Sequence, residues 1–209
     1  MIPNKLLSKW MEFIRENPEH AQRFTECFWP SQLRSKSVAL DMLAPDLAIY
    51  HPYGSRCHDI YIFGGWYGVF AQLFASRYAN CKIHNIDVDP SCEFVFNKIN
   101  IYPQITHTTD NMATFKYPTK PTYVINTSTE HVTQETYDIW WNNIPSGTKY
   151  LIQSNNFFAL EEHIRCSDTM DEFLDINHLQ DNNEWVKEID CGMRSDGEPF
   201  IRFMAIGVK

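Results

Sequence analysis

Apolar residues Leu6, Leu7, Trp10, Met11, Phe13 and Ile14 recur at helical spacing, with Lys5, Lys9, Glu12 and Arg15 on the other side, so residues 4–16 read as an amphipathic helix. Asn17-Pro18-Glu19 then reads as an N-cap, a first-turn proline and an acid suited to a helix N-terminus. This second helix runs to about Phe28, before Pro30. Ser31 can cap a third, with Leu33, Val38, Leu40, Met42 and Leu43 as its apolar face and Pro45 as its end. The first 50 residues are therefore helical, with no strand signal.

The pattern changes after residue 50. Short apolar runs at 59–63, 82–87, 122–126 and 149–153 read as strands. Helical stretches at 67–78, 90–99 and 135–142 lie between them, and Ile144-Pro145-Ser146-Gly147 makes a turn. Strands alternating with helices mean parallel pairing through crossovers. The tail differs: 168–176 is helical, with Ser167 as its cap, and 185–190 and 200–208 are strands joined through a turn at Ser195-Asp196-Gly197. A terminal hairpin adds antiparallel strands to a parallel sheet. Ligands of such sheets bind outside the carboxyl ends of the strands. The Asn-, Ser- and Thr-rich segments 126–134 and 154–156 fall there.

Composition narrows the function classes. The chain has 209 residues, enough for one domain with a small cap. Its net charge of −8 gains nothing from phosphate counterion release, so a small-molecule substrate is favoured and nucleic acid is not. The six cysteines, at 27, 57, 81, 92, 166 and 191, form no C-x-x-C pair and read as small buried apolar side chains. No signal peptide is visible, and no apolar run approaches the roughly 20 residues needed to span a bilayer. The expectation is a soluble, cytoplasmic, reduced protein without a membrane partner. Apolar surface on the N-terminal helices leaves room for a homodimer.

Ile60-Tyr61-Ile62-Phe63-Gly64-Gly65-Trp66-Tyr67-Gly68 is the most informative stretch: a strand, a glycine turn and a helix start. Glycine permits the tight turn and close backbone approach to a ligand, and the helix start presents free N–H groups. Asp87 ends the next strand, at about the 20-residue spacing of a ribose-hydroxyl acceptor. The dinucleotide fingerprint is broken, because Phe63 or Trp66 occupies one glycine position in either frame.

These residues resemble the class I S-adenosylmethionine-dependent methyltransferases and, more narrowly, a compact group of methyltransferase-like proteins from phages and bacteria. Ile86-Asp87-Val88-Asp89-Pro90, 125–131, Gln153-Ser154-Asn155-Asn156 and Arg202-Phe203-Met204 carry the resemblance further, over roughly 55–208. It implies an α/β fold: a Rossmann-like, seven-stranded sheet, parallel with a C-terminal antiparallel hairpin, in a domain at 51–209 behind an N-terminal helical cap at 1–50. It implies S-adenosylmethionine as cofactor. Gly64, Gly65, Trp66 and Gly68 would border its methionine part, Asp87 would accept the ribose hydroxyls, Val88 would line the adenine, and Asp110, Asn111 and Met112 would sit at the adenine edge. Two departures stand out. Ile62 replaces the usual acid before the first glycine, and Trp66 replaces the middle glycine.

Asn126, Glu130 and His131 follow the central strand, where the family places the reacting methyl. An acid or imidazole there can take the proton an acceptor loses; equally, Glu130 can cap the next helix. Gln153, Asn155 and Asn156 can read a substrate or close a turn on their own backbone, and His163 joins them as a substrate contact. His163 with Glu130 and His131 could form a metal site, but loop spacing does not establish that geometry, and no metal is expected. Gln32, Arg34, Ser35 and Lys36 offer a cation for the cofactor carboxylate, or a solvated helix face. The expected activity is methyl transfer to a small acceptor. The alternatives are an enzyme using the aminocarboxypropyl arm and releasing methylthioadenosine, and a non-catalytic binder. A nucleic-acid methyltransferase and a dehydrogenase rank lower.

Overall fold

The structure is a computed structural model and describes residues 2–47, 58–194 and 196–209. Cys57, Ser195 and the boundary expected near residue 50 lie outside the described residues. Helices α1 (Asn4–Glu16), α2 (Pro18–Glu26) and α3 (Pro30–Leu47) open the chain. Then come β1 (His58–Phe63), α4 (Val69–Arg77), β2 (Cys81–Asp87), α5 (Ser91–Ile99), β3 (Ile105–Thr109) and β4 (Tyr123–Asn126). A 3₁₀ turn (Thr129–His131), α6 (Gln134–Asn143), β5 (Lys149–Asn155), α7 (Met170–Ile176), β6 (Asn183–Met193) and β7 (Pro199–Val208) complete it.

The strands form one seven-stranded sheet in the order β3-β2-β1-β4-β5-β7-β6. The first five are parallel, and β7 runs antiparallel to both β5 and β6. This is the expected sheet with its terminal hairpin. The strand order reverses between β1 and β4, which makes the crevice at their carboxyl ends the natural ligand site.

Alternation along β1 explains both layers. Ile60 and Ile62 face a core shared with Leu40, Leu43 and Phe74, whereas Tyr61 and Phe63 face Val124, Trp140 and Tyr150. Leu6, Trp10, Phe13 and Phe24 form a third core with Tyr67, Val95 and Ile99. The N-terminal helices thus bury their apolar faces against the sheet's own helices.

Several boundaries differ from expectation. Ser31 does not cap α3 but lies inside it, because Pro30 starts the helix, where its missing N–H costs nothing. Pro45 does not end α3, which runs on to Leu47. A proline that near the end removes only the N–H that would bond the Asp41 carbonyl, and Ala39, Leu40 and Leu43 anchor the helix in the core. Asn17 places no side-chain cap on α2; its Nδ2 donates to the Phe13 carbonyl and closes α1 instead (2.9 Å). Thr169, not Ser167, caps α7. Its Oγ1 accepts the Glu172 N–H (3.2 Å), while Glu172 accepts the Asp168 N–H (2.7 Å).

Candidate functional site

The turn after β1 works because of what lies under it. A Cβ on Gly65 would sit 2.1 Å from Asn85 Oδ1, so no side chain fits there. Gly68 starts α4 at φ +73°, with the Phe96 ring 2.7 Å from where its Cβ would be. Trp66 between them also adopts a positive φ, +48°, a conformation that costs an L-residue about 1–2 kcal/mol. Its N–H donates to Asp87 Oδ2 (2.7 Å), and its carbonyl accepts from Asn85 Nδ2 (3.1 Å).

Beside this turn, at the carboxyl ends of β1, β2 and β4, is a cavity of about 770 Å³, with α2 and α3 forming the opposite wall. Gly64, Gly65, Trp66, Asp87, Val88, Asp110, Asn111 and Met112 line one part of it. Gly68 does not; it supports the turn from below. Asp87 accepts two backbone N–H groups, from Trp66 and from Asp89 (3.0 Å). A carboxylate has about four lone-pair sites, so further acceptor capacity remains.

Asn126, His131 and His163 line the part beyond β4. The N–H of Ser128 donates to Asn126 Oδ1 (3.0 Å) and orients the amide. Burial pushes His163 below the usual histidine range. Glu130 is 1% exposed and does not line the cavity. Its Oε1 accepts from Asn155 Nδ2 (2.6 Å) and lies 3.8 Å from Arg202 Nη1. The expected substrate contacts from β5 also point elsewhere. Gln153 reaches Met204 and the Ser35 carbonyl, and Asn155 holds Glu130 and the Phe157 N–H. Asn156 ties down Pro199 and Ile201. These side chains are buried and used inside the protein, because β5 is covered on both faces.

The helical wall contributes Arg23, Glu26, Trp29, Gln32 and Lys36. Arg34 and Ser35 do not reach the cavity. Lys36 is 9% exposed and donates to Gln32 Oε1 (2.9 Å). Burial lowers its pKa to about 8. Burial has the opposite effect on the neighbouring Cys27, raising the thiol to about 12 and keeping it protonated. Arg23 pairs with Asp89, donates to Ser91 Oγ (2.9 Å) and lies 5.5 Å over both the Trp66 and Tyr67 rings. That pairing holds the Asp89 carboxyl at about 2. Sequence reasoning missed Arg23, Glu26 and Trp29, since nothing local marks a helix face that meets β2 only in the fold. Thr127, Ser128 and Thr133 also line the cavity, in the polar segment already suspected. Leu160 and Ile164 make its apolar side.

No family model matches the sequence, and no curated protein matches it. Solved structures do. N-methyltransferase NodS from Bradyrhizobium japonicum WM9 aligns with a TM-score of 0.61 at 13% identity, over 86% of this chain and 98% of that one. Coclaurine N-methyltransferase, bound to N-methylheliamine and S-adenosylhomocysteine, aligns at 0.61 and 10% identity, over 83% and 72%. Geranyl diphosphate C-methyltransferase from Streptomyces coelicolor A3(2) aligns at 0.58 and 12% identity, over 82% and 76%. At such identities the likeness is one of fold.

Proposed function

We propose that this chain, which has the fold of the class I S-adenosylmethionine-dependent methyltransferases, binds that cofactor and transfers its methyl group to a small acceptor. The observation that carries the reading is the single cavity wall joining the close-packed glycine turn to Asp87, with its spare acceptor capacity. A flat backbone under the ligand and an acid at the end of the next strand are what a nucleoside with two free hydroxyls requires.

S-adenosylmethionine supplies an electrophilic methyl carbon on its sulfonium. The chain's task is to hold donor and acceptor in line and exclude water. Asp87 accepts the ribose hydroxyls; Val88, Asp110, Asn111 and Met112 border the base; Gly64, Gly65 and Trp66 border the methionine arm. Lys36 pairs with the cofactor carboxylate from the helical wall. His131 receives the proton the acceptor loses, and Asn126 orients a polar group beside it. Trp29, Leu160 and Ile164 seat an apolar acceptor body. Helices α1 to α3 act as a cap on the cofactor domain, with α2 and α3 closing the mouth.

The test is incubation of pure protein with S-adenosylmethionine, read by thermal shift and by mass spectrometry of the small molecules. The expected result is a rise in melting temperature that Asp87→Ala abolishes, and S-adenosylhomocysteine once an acceptor is supplied. Methylthioadenosine formed without an acceptor would replace methyl transfer by chemistry of the aminocarboxypropyl arm. Absence of any shift overturns the cofactor assignment.

A further inference from the structure

Beyond β4, three donors from two separate loops meet. Oxygen or nitrogen atoms of Glu130, His131 and His163 all lie within 4.8 Å of one another. The two imidazole rings are 4.7 Å apart, at 83°. Both line the cavity, and Glu130 lies buried behind them.

The surroundings prepare each donor. Glu130 Oε1 is occupied by Asn155 Nδ2 (2.6 Å), but Oε2 is buried with no hydrogen-bond partner. A buried carboxylate oxygen left alone is costly, so it calls for a partner the chain does not supply. His163 Nδ1 lies 2.7 Å from the Phe157 carbonyl. A carbonyl has no proton to give, so Nδ1 carries the hydrogen and Nε2 keeps its lone pair. An imidazole tied to a carbonyl through its outer nitrogen is the usual support of a metal-bound histidine. Asn155 and Phe157, at the end of β5, thus orient two of the three donors.

We propose that Glu130 Oε2, His131 and His163 Nε2 bind a divalent transition-metal ion whose open positions face the acceptor side of the cavity. Two imidazoles and one carboxylate suit zinc or iron(II), and three protein ligands leave room for an exogenous one. Bonds of about 2.1 Å place ligand atoms roughly 3–3.4 Å apart, closer than the 4.8 Å within which the donors lie here, so binding draws them together. Arg202, 3.8 Å from Glu130 Oε1, is the charge that opposes the ion. The same charge favours an anionic exogenous ligand, such as water or an acceptor hydroxyl that has lost its proton. An ion held there engages His131, so the acceptor would lose its proton as a ligand of the ion rather than to that imidazole; this role rests on the methyl-transfer reading, and the ion's binding does not.

The experiment uses the full chain free of any histidine tag, stripped with chelator and dialysed against Zn²⁺ or Co²⁺. Metal content is read by mass spectrometry and the Co²⁺ site by its visible absorption. The expected result is one ion per chain, with His131→Ala, His163→Ala and Glu130→Gln each weakening binding by about 100-fold or more. Exposed His131 can be truncated without disturbing the core, so a failure of Glu130→Gln to fold, with Arg202 left without its counter-charge, does not mask the answer. No stoichiometric retention, or retention that none of the three changes affects, overturns the site. Asp87→Ala, run in parallel, separates the two readings. It should abolish the S-adenosylmethionine shift and leave the metal bound.

Discussion

Lys36→Met should stabilise the empty protein while weakening its hold on an anionic ligand. Lys36 is buried in the cavity wall, and its ammonium is held at about 8 rather than the ordinary 10.5. That difference corresponds to about 3 kcal/mol of destabilisation when the lysine is charged. Below about pH 8 the lysine is protonated in native and unfolded chains alike, and the whole penalty stands. Between about 8 and 10.5 the unfolded chain binds more protons than the native one, so stability rises with pH. Above that window the penalty is gone. Methionine keeps the stem and removes the charge, and half-buried Gln32 can turn to water for its lost bond. Urea unfolding followed by circular dichroism at pH 7 should show the variant more stable by up to about 3 kcal/mol, or about 6–12 °C in melting temperature for a chain of this size. The gap should close as pH rises from 8 to 10.5. A variant no more stable at pH 7, or a gap independent of pH, refutes the reasoning. The same lysine should take up a proton when a carboxylate docks against it near pH 8–9. Calorimetry in buffers of different ionisation heat would detect this, and Lys36→Met would lose it.

Gly65→Ala should destabilise the fold by about 3 kcal/mol or prevent folding, because its Cβ would lie 2.1 Å from Asn85 Oδ1; urea unfolding checks it, and a change below about 1 kcal/mol would mean that Asn85 can move aside. Glu130→Ala should cost about 3–5 kcal/mol by leaving Arg202 buried without its counter-charge, whereas Glu130→Ala combined with Arg202→Met should recover much of the loss in the same assay.

Much of the architecture was legible because it rests on local rules. Short apolar runs became β1, β2, β4 and β5, and the helical stretches became α1 to α6. The glycine turn and Asp87 were visible because both sit at strand ends whose order follows from alternation. Boundaries slipped where a competing local partner existed. Asn17 could cap forward or close backward, and Ser167 and Thr169 competed for α7. The polar run at the end of β5 misled more seriously. Gln153, Asn155 and Asn156 read as substrate contacts or as a turn closed on their own backbone. Asn155 does close on its own backbone at the Phe157 N–H, but the other partners, Ser35, Met204, Glu130, Pro199 and Ile201, come from α3, β7 and the 3₁₀ turn.

The order of elements, the class of sheet and the glycine turn were readable along the chain, since each depends on neighbours a few residues apart. Tertiary structure alone decided the rest. It brought Arg23 to Asp89 and placed Lys36 in the cavity wall. It withdrew Glu130 and Asn155 from the surface and gathered Glu130, His131 and His163. The physical reason is that a side chain's chemistry is set by burial and by the groups packed against it, and here those groups lie on distant segments of the chain.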